Sequence, residues 1–345
     1  MPALHVDTEA VGRNAEKVAA LLRVHDVDLV GVTKGCRGEP RVAAAMLAGG
    51  ATALADTRDL NLLRLRDALP QAELHRIYLP PRLAAFEPGD VTYVSSAEGA
   101  AAVAAAPLHP AHPVEGAAHI DLAKRRHEVM LQVETGDMRE GVPRAQLPDL
   151  AGVVMAGGRL QLRGISTNYA CFQGAPAGIK RSVEAVAQAA AELRDAGIEF
   201  DRVSGGNSSV LSLLMRGETL PMEITEIRCG EALLLGHESL LYQPVPGCSG
   251  ACRLWGEVLE EYTKPAREGG RKRLILGLGR QDLGSGAVTF VEPGLSEIGR
   301  SSDYLVVEAE PAVRGVGVGL CLEMIPSYEA LVAAWTSPYV ELCLR

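Results

Sequence analysis

A lysine closes an apolar, strand-like run, Asp28–Thr33, and Gly35 follows it at once. Such a run, rich in β-branched and apolar residues, is typical of a buried strand. Burial strips water from an ammonium group, and an amine that has given up its proton is a nucleophile. Lys34 is therefore a candidate for forming a Schiff base with a carbonyl compound. The alternative is that the strand ends there and the side chain extends into water.

Polar residues also follow four later strand-like runs. Arg139 comes after the fifth run, Asn168 after the sixth, and Arg228 at the end of the eighth. The seventh run leads into Ser204–Ser209, a Ser-Gly-Gly-Asn-Ser-Ser loop. Its glycines would let the backbone approach an anion, and its hydroxyl groups would add donors. An ordinary helix N-cap explains the same loop, and isolated arginines or asparagines often have only structural partners.

The elements that must position these residues alternate along the chain. The strand-like runs are Asp28–Thr33, Ala51–Ala55, Glu73–Leu79, Asp90–Ser95, His127–Glu134, Leu160–Ser166, Phe200–Ser204 and Glu223–Arg228. Helical patterns are seen at Pro40–Leu47, Ala97–Ala106, Leu147–Ala156 and Ile179–Ala196. Strands joined by helices pair in parallel. The pattern predicts an α/β fold, a TIM-like (β/α)8 barrel, with a doubly wound open sheet as the alternative. In a barrel the candidate residues would meet at one mouth.

The pattern changes after Gly236, where glycine and proline become frequent and helical periodicity fades. Short β runs are found at Gly250–Glu257, Arg273–Leu278, Ala287–Pro293, Asp303–Glu308 and Val340–Leu344. We therefore predict two domains, a barrel over residues 1–236 and a mainly antiparallel β domain over residues 237–345. The run Ala3–Val6 is a further strand candidate for the second domain.

Composition excludes several other classes of protein. The net charge of -9 and the lack of a basic stripe argue against a nucleic-acid partner. No apolar run approaches the ~20 residues that span a bilayer, and no leader opens the chain, so we expect a cytoplasmic protein without a membrane partner. The seven cysteines form no paired ligand pattern, and we expect no metal site.

Taken together, these segments resemble the pyridoxal 5'-phosphate (PLP) racemases of the alanine racemase fold (fold type III), most closely the ornithine racemase branch. The similar segments are Gly31–Lys34, Gly136–Gly141, Ser204–Ser209, Ile227–Gly236, Ser301–Tyr304 and the C-terminal stretches around Tyr328 and Tyr339. Each motif is short, but the set is jointly specific and runs from end to end of the chain.

The resemblance implies a role for each candidate residue in binding PLP. Lys34 would carry the cofactor as a Schiff base, and Arg139 would donate to its phenolic oxygen. Asn168 would lie against the pyridine ring, and Arg228 would face the ring nitrogen. The residues implied around the phosphate are Asn207 and Ser208 of the loop, Gly230 and Glu231 through their N–H groups, and Tyr328 from the β domain.

The chain departs from alanine racemases at the second acid–base group. Those enzymes use a tyrosine there, and Leu278 stands in its place. Candidates for the missing group are Asp282 and Asp303, with Ser301, Ser302 and Tyr304 also open. A solvent-exposed or turn-capping role is the alternative for each carboxylate.

The resemblance implies an enzyme that interconverts the L- and D-enantiomers of a small amino-acid substrate. A basic amino acid such as ornithine is expected, and Asp282, Asp303 or Glu231 would pair with its distal ammonium. The alternatives are an alanine or broad-specificity racemase, a PLP decarboxylase of the same fold, and a non-catalytic PLP-binding protein. A head-to-tail homodimer is expected, because active sites of the family take residues from both subunits.

Overall fold

The structure is a computed structural model that describes residues 1–81, 83–107, 126–172, 174–263 and 271–345. Its described residues form two compact units. One unit comprises Val11–Lys34 and Gly38–Ser249. The other comprises Met1–Ala10, Gly35–Arg37 and Gly250–Arg345.

The first unit is a closed barrel of parallel strands. Strand β1 (Ala3–Val6) belongs to the other unit, and the barrel strands are β2 (Asp28–Val32), β3 (Ala51–Asp56), β4 (Leu74–Arg76), β5 (Val91–Val94), β6 (His127–Val133), β7 (Leu160–Thr167), β8 (Arg202–Ser204) and β9 (Glu226–Cys229). Each pairs in parallel with the next, and β2 closes the barrel against β9. The predicted closed barrel is confirmed, and all of its predicted strands are present within a few residues of the expected bounds.

Helices connect most of the barrel strands: α2 (Pro40–Ala48), α3 (Asp59–Ala68), α4 (Ala97–Ala105), α5 (Leu147–Ala156), α6 (Pro176–Asp195) and α7 (Leu211–Met215). Helix α1 (Thr8–Arg23) precedes the first barrel strand, and α8 (Glu231–Leu235) follows the last. Helix α6 shows why they form: Ile179, Val183, Val186 and Leu193 recur at helical spacing and are all buried. Burial of each such side chain stabilises the fold by roughly 1.5–3 kcal/mol. These helices hold the strands so that the residues after each strand share one rim.

Apolar side chains fill much of the barrel interior. Val30 and Val32 of β2 pack with Ala53 and Ala55 of β3 in one buried cluster. Filled interiors are usual in eight-stranded barrels, whose chemistry lies at the C-terminal strand ends.

The second unit is a mainly antiparallel sheet, as predicted. Its strands after β1 are β10 (Cys252–Thr263), β11 (Lys272–Leu276), β12 (Val288–Phe290), β13 (Leu295–Arg300), β14 (Leu305–Ala309), β15 (Cys321–Pro326) and β16 (Glu341–Leu344). Their order is β12-β15-β10-β11-β14-β13, and β1 pairs with β10 and β16. Helices α9 (Arg280–Leu283) and α10 (Tyr328–Thr336) complete this unit.

A search of the described residues finds no helix with the length and apolar character needed to cross a membrane.

Candidate active site

Lys34 stands immediately beyond the end of β2 and opens a short 3-10 helix, Lys34–Cys36. Its side chain is half-buried. Strand β2 pairs with β9 in a register that sets Val30 opposite Arg228. Beyond that pair the two backbones run close together, because a Cβ on Gly230 would lie 2.8 Å from the carbonyl oxygen of Val32. Glycine is the residue that permits this approach. The lysine and the Gly230 turn therefore stand at neighbouring strand ends.

A buried carboxylate anchors the residue that precedes Lys34. Asp56 ends β3 and is fully buried. It accepts hydrogen bonds from Thr33 Oγ1 at 2.6 Å and Asn61 Nδ2 at 3.0 Å, and from the N–H groups of Thr57 and Arg58. Burial raises the pKa of Asp56 above its usual range, and these hydrogen bonds oppose that rise. Sequence reasoning missed Asp56, although an aspartate that ends an apolar strand beside the lysine strand was a visible signal.

Arg228 is buried, at 5% exposure, and neutral oxygens of other barrel segments surround it. Its Nη1 donates to Ser166 Oγ at 2.6 Å and also to Ser204 Oγ. Its Nη2 donates to the carbonyl oxygen of Thr167 at 2.6 Å. The guanidinium is therefore held rigidly at the ends of β7 and β8.

The loop after β8 is organised by Asn207. Its Oδ1 accepts the N–H of Ser209 at 2.9 Å, so Asn207 is the N-cap of a short 3-10 helix, Ser208–Val210. Ser208 and Ser209 are both buried. Among the described residues, Ser209 Oγ has no hydrogen-bond partner. A buried hydroxyl in that state is a donor that suits an acceptor from a ligand. The N-cap role and an anion-binding role are thus compatible here.

Asn168 belongs to the same hydrogen-bonded group. Its Oδ1 accepts from Asn207 Nδ2 at 3.0 Å, and its Nδ2 donates to Asp137 Oδ2 at 3.2 Å. Asp137 is buried and also accepts the N–H groups of Cys171 and Phe172, each at 2.9 Å. Asp137 is therefore the residue that orders the loop after β7.

Arg139 points toward acidic neighbours. Its side chain is 41% exposed, its Nε lies 3.6 Å from Asp137 Oδ2, and its Nη2 donates to Glu140 Oε1 at 2.6 Å. The hydrogen bond to Glu140, together with the nearby charge of Asp137, raises the pKa of the Arg139 guanidinium, so Arg139 stays positively charged. Arg139 lies near the Asn168 group, but its donors are engaged by carboxylates in this structure.

The remaining barrel candidate, Glu231, opens α8 directly after Gly230. Its Oε1 lies 3.7 Å from Nδ1 of His237. Tyr328 opens α10 in the sheet unit and is half-buried.

The two carboxylates proposed for the second acid–base role differ in their surroundings. Asp282 is buried and accepts from the N–H of Gly279 and from Ser337 Oγ, each at 3.0 Å. Those bonds fit the helix-capping alternative. Asp303 is exposed and accepts from Gln281 Nε2 at 2.7 Å and from Ser302 Oγ at 2.8 Å. Leu278 is fully buried.

The barrel strands and their polar rim define a known class of enzyme. The chain belongs to the alanine racemase N-terminal domain family, whose model matches residues 6–238. The family and its named members make the protein an enzyme of the amino-acid racemase class, an isomerase.

Two curated relatives are similar to the chain. A lysine racemase of Thermotoga maritima is 27% identical over 361 residues, which cover 99% of this chain and 97% of the relative. An ornithine racemase of Acetoanaerobium sticklandii is 30% identical over 236 residues, covering 62% of this chain and 66% of the relative.

Solved structures share the fold. An alanine racemase of Corynebacterium glutamicum matches with a TM-score of 0.73 at 18% identity, covering 100% of this chain and 99% of the other. A D-threonine aldolase of Filomicrobium marinum matches with a TM-score of 0.76 at 20% identity, covering 97% of this chain and 89% of the other. At these identities the similarity establishes the fold.

Racemases of this fold depend on PLP, and the described residues fit that cofactor. A lysine stands near a strand end, where it could bind an aldehyde, and a rigid arginine lies on the strand next to the one that leads into the serine loop. The buried Ser209 hydroxyl without a partner is the observation that most directly suits a phosphate.

Proposed function

We propose that the protein is a PLP-dependent racemase of a basic amino acid, with ornithine as the expected substrate. The observation that carries the proposal is the joint presence of Lys34 and the rigidly bonded Arg228 at paired strand ends of the barrel. The lysine and ornithine racemases named above support a basic substrate.

The proposed cofactor-binding residues divide by the part of PLP that each would hold. Lys34 would bind the aldehyde carbon through Nζ. Asn207, Ser208, Ser209 and the N–H groups of Gly230 and Glu231 would hold the phosphate, and Tyr328 is proposed as a further phosphate-binding residue. The residues proposed around the ring are Asn168, Arg139 and Arg228.

Bound PLP would supply the electron-withdrawing ring that makes the α-hydrogen of the substrate acidic. Arg228 keeps its own proton under all ordinary conditions, so it would leave the ring nitrogen unprotonated. A weaker electron sink favours simple removal and return of the α-proton over side reactions. Lys34 Nζ would exchange that proton on one face.

The second face needs another group. Because Asp282 is buried among capping hydrogen bonds, Asp303 is the better of the two carboxylates for contact with a substrate. We propose that Asp303 acts either as the second base or as the partner of the distal ammonium. A head-to-tail homodimer would deliver it from the partner subunit.

One incubation tests the racemase against its alternatives. Purified protein is mixed with PLP and separate L-amino acids in heavy water, and each product is analysed for chirality and for deuterium at the α-carbon. A racemase yields the deuterated D-enantiomer, with ornithine and lysine ahead of alanine. A decarboxylase yields an amine instead, and a non-catalytic PLP-binding protein yields neither product.

The Lys34→Ala variant supplies the mechanistic check. We expect it to lose the visible absorbance of covalently bound cofactor and at least ~10³-fold of the racemisation rate. Lys180→Ala is the matched control, because Lys180 is an exposed barrel lysine that pairs with Glu218 at 3.2 Å. Full activity with retained covalent cofactor in Lys34→Ala would refute the proposal.

A further inference from the structure

A second charged residue shares the inner face of β9 with Arg228. Side chains alternate along a strand, so Glu226 and Arg228 point to the same side of the barrel wall. Both are buried, at 2% and 5% exposure respectively. The described hydrogen bonds of Arg228 go to the neutral oxygens of Ser166, Ser204 and Thr167. A buried cation with neutral partners requires compensating charge nearby.

Tyr93 connects the two charges. It is buried on β5, and its hydroxyl donates to Glu226 Oε1 at 3.2 Å. The guanidinium carbon of Arg228 lies 5.2 Å from the centre of the same ring. That distance is within the range of a cation–π interaction. One phenol therefore contacts the carboxylate through its hydroxyl and the guanidinium through its ring.

The protonation state of Tyr93 suits this connection. Burial is the main reason that the pKa of Tyr93 is raised well above its usual value, and the carboxylate of Glu226 raises it further. Arg228 opposes that rise but does not cancel it. The phenol therefore keeps its proton and remains a donor to Glu226 at every pH at which the enzyme would work.

Other charged groups around Glu226 have their own partners. His75 Nδ1 lies 3.4 Å from the Tyr93 hydroxyl, and His75 Nε2 lies 2.7 Å from Glu73 Oε1. Arg202 also faces Glu226, but its Nη1 pairs with Asp28 Oδ2 at 2.6 Å. Glu226 is thus the carboxylate that Tyr93 links to Arg228.

We propose that Glu226 and Tyr93 are positioning residues that set the charge which Arg228 presents to the nitrogen of the cofactor ring. This inference rests on the proposed function, because it takes Arg228 to face that nitrogen. The negative charge of Glu226 partly offsets the positive charge of Arg228. The arginine is therefore a moderate rather than a strong hydrogen-bond donor to the ring nitrogen. Removing the carboxylate would leave the positive charge of Arg228 without this compensation.

The test compares Glu226→Gln with wild-type holoenzyme. Glutamine keeps the size and an acceptor for the Tyr93 hydroxyl but removes the charge. When a charge roughly 10 Å from a titrating group is removed, at an effective dielectric constant of ~20, the titration midpoint of that group shifts by about one pH unit. We therefore expect the pH midpoint of the bound cofactor's visible absorbance to fall by about that amount. The midpoint falls because the loss of a negative charge disfavours the protonated, cationic form of the bound cofactor.

A second measurement reads the ring nitrogen directly. PLP labelled with 15N in the ring is bound to each protein, and the 15N chemical shift is recorded. Stronger donation from Arg228 moves that resonance toward the protonated position in Glu226→Gln. Tyr93→Phe removes the hydroxyl that connects the two groups but leaves both charges in place. It should give a smaller change in both measurements, which keeps the test available if Glu226→Gln does not fold.

Glu128→Gln is the matched control, because Glu128 is a barrel carboxylate that pairs with Arg163 at 3.4 Å. It should leave both the midpoint and the 15N shift unchanged. If Glu226→Gln and Tyr93→Phe bind PLP with wild-type midpoint and 15N shift, the inference is wrong and the proposed function stands. If the wild-type protein binds no PLP, the proposed function itself fails.

Discussion

Two arginines assigned to the same cofactor lie in unlike surroundings. Arg228 is buried and bonded to oxygens on the ends of β7 and β8, whereas the Arg139 side chain is 41% exposed and donates to Glu140. The first is part of the folded barrel, and its position is fixed before any ligand arrives. To bind the cofactor as proposed, Arg139 would have to exchange a carboxylate for the cofactor's oxygen. The barrel end near β9 is therefore preorganised, and the loop after β6 is adjustable.

The largest effect expected from this contrast is on stability. Arg228→Met leaves the Ser166, Ser204 and Thr167 oxygens without their donor and Glu226 without its counter-charge. We expect a loss of about 3–5 kcal/mol in the free energy of unfolding. Arg139→Met breaks half-exposed ion pairs and should cost about 0–1 kcal/mol. Urea unfolding of both variants without cofactor measures the difference. Equal losses of unfolding free energy in the two variants would contradict the view that Arg228 is a structural part of the barrel and Arg139 is not.

A smaller effect is expected at Asp137, which lies in the adjustable loop after β6 and orders the loop after β7. Asp137 accepts three N–H groups, from Asn168, Cys171 and Phe172. In Asp137→Asn the amide NH2 would face either Asn168 Nδ2 or the two backbone N–H groups, at a cost of about 1–3 kcal/mol.

We also expect Asp137→Asn to weaken PLP binding, because Asn168 and the segment after it lose their anchor. Equilibrium dialysis against PLP measures this affinity. The matched control is Asp149→Asn, since Asp149 lies in the first turn of the distant helix α5. If Asp137→Asn and the control bind PLP with equal affinity, Asp137 does not order this loop for cofactor binding.

The smallest expected effect is a difference in the labelling rates of the cysteine thiols, with no change in the free energy of unfolding. Cys171 is exposed in the loop after β7, and its Sγ lies 3.3 Å from Asn207 Nδ2. Burial raises the pKa of Cys229 to about 12 and that of Cys252 to about 12, so both thiols stay protonated and unreactive up to high pH. At pH 8, iodoacetamide should label Cys171 well before Cys229 and Cys252, as read by mass spectrometry.

Labelled Cys171 should also hinder PLP binding, whereas Cys171→Ser should bind PLP normally and resist this inhibition. Rapid labelling of Cys229 would contradict the buried site near β9. Unchanged binding after complete labelling of Cys171 would show that the loop does not border the cofactor.

The barrel was predictable because its strands carry a strong local signal. Runs such as Asp28–Val32 and His127–Val133 are apolar and β-branched, and the order of strands and helices admits few topologies. Helix α1 was missed although Val11, Val18 and Leu22 recur at helical spacing. Strand β13 was missed because Leu295–Arg300 has little apolar character on either face.

Contacts within the site were less accessible to sequence reasoning. The pairing of Arg139 with Glu140 joins neighbours in the chain and could have been anticipated. The hydrogen bonds from Ser337 to Asp282 and from Tyr93 to Glu226 join residues 55 and 133 positions apart. Such pairs depend on how strands and helices pack, and no local pattern reports them. Residue type and position at a strand end could be predicted, but the choice of partner could not.

The buried leucine in the sheet unit bears on how this enzyme could be redesigned or could have diverged. Leu278 is packed so closely that a Cβ on Gly256 would lie 2.5 Å from its Cδ2, and the adjoining Gly279 lies against the Ser302 carbonyl. Placing tyrosine at position 278 would insert a ring and a hydroxyl into this packed space rather than expose a working side chain. The substitution Leu278→Tyr alone is therefore not expected to place an exposed tyrosine hydroxyl at this position. Such a change would also require a different backbone between strand β11 and helix α9.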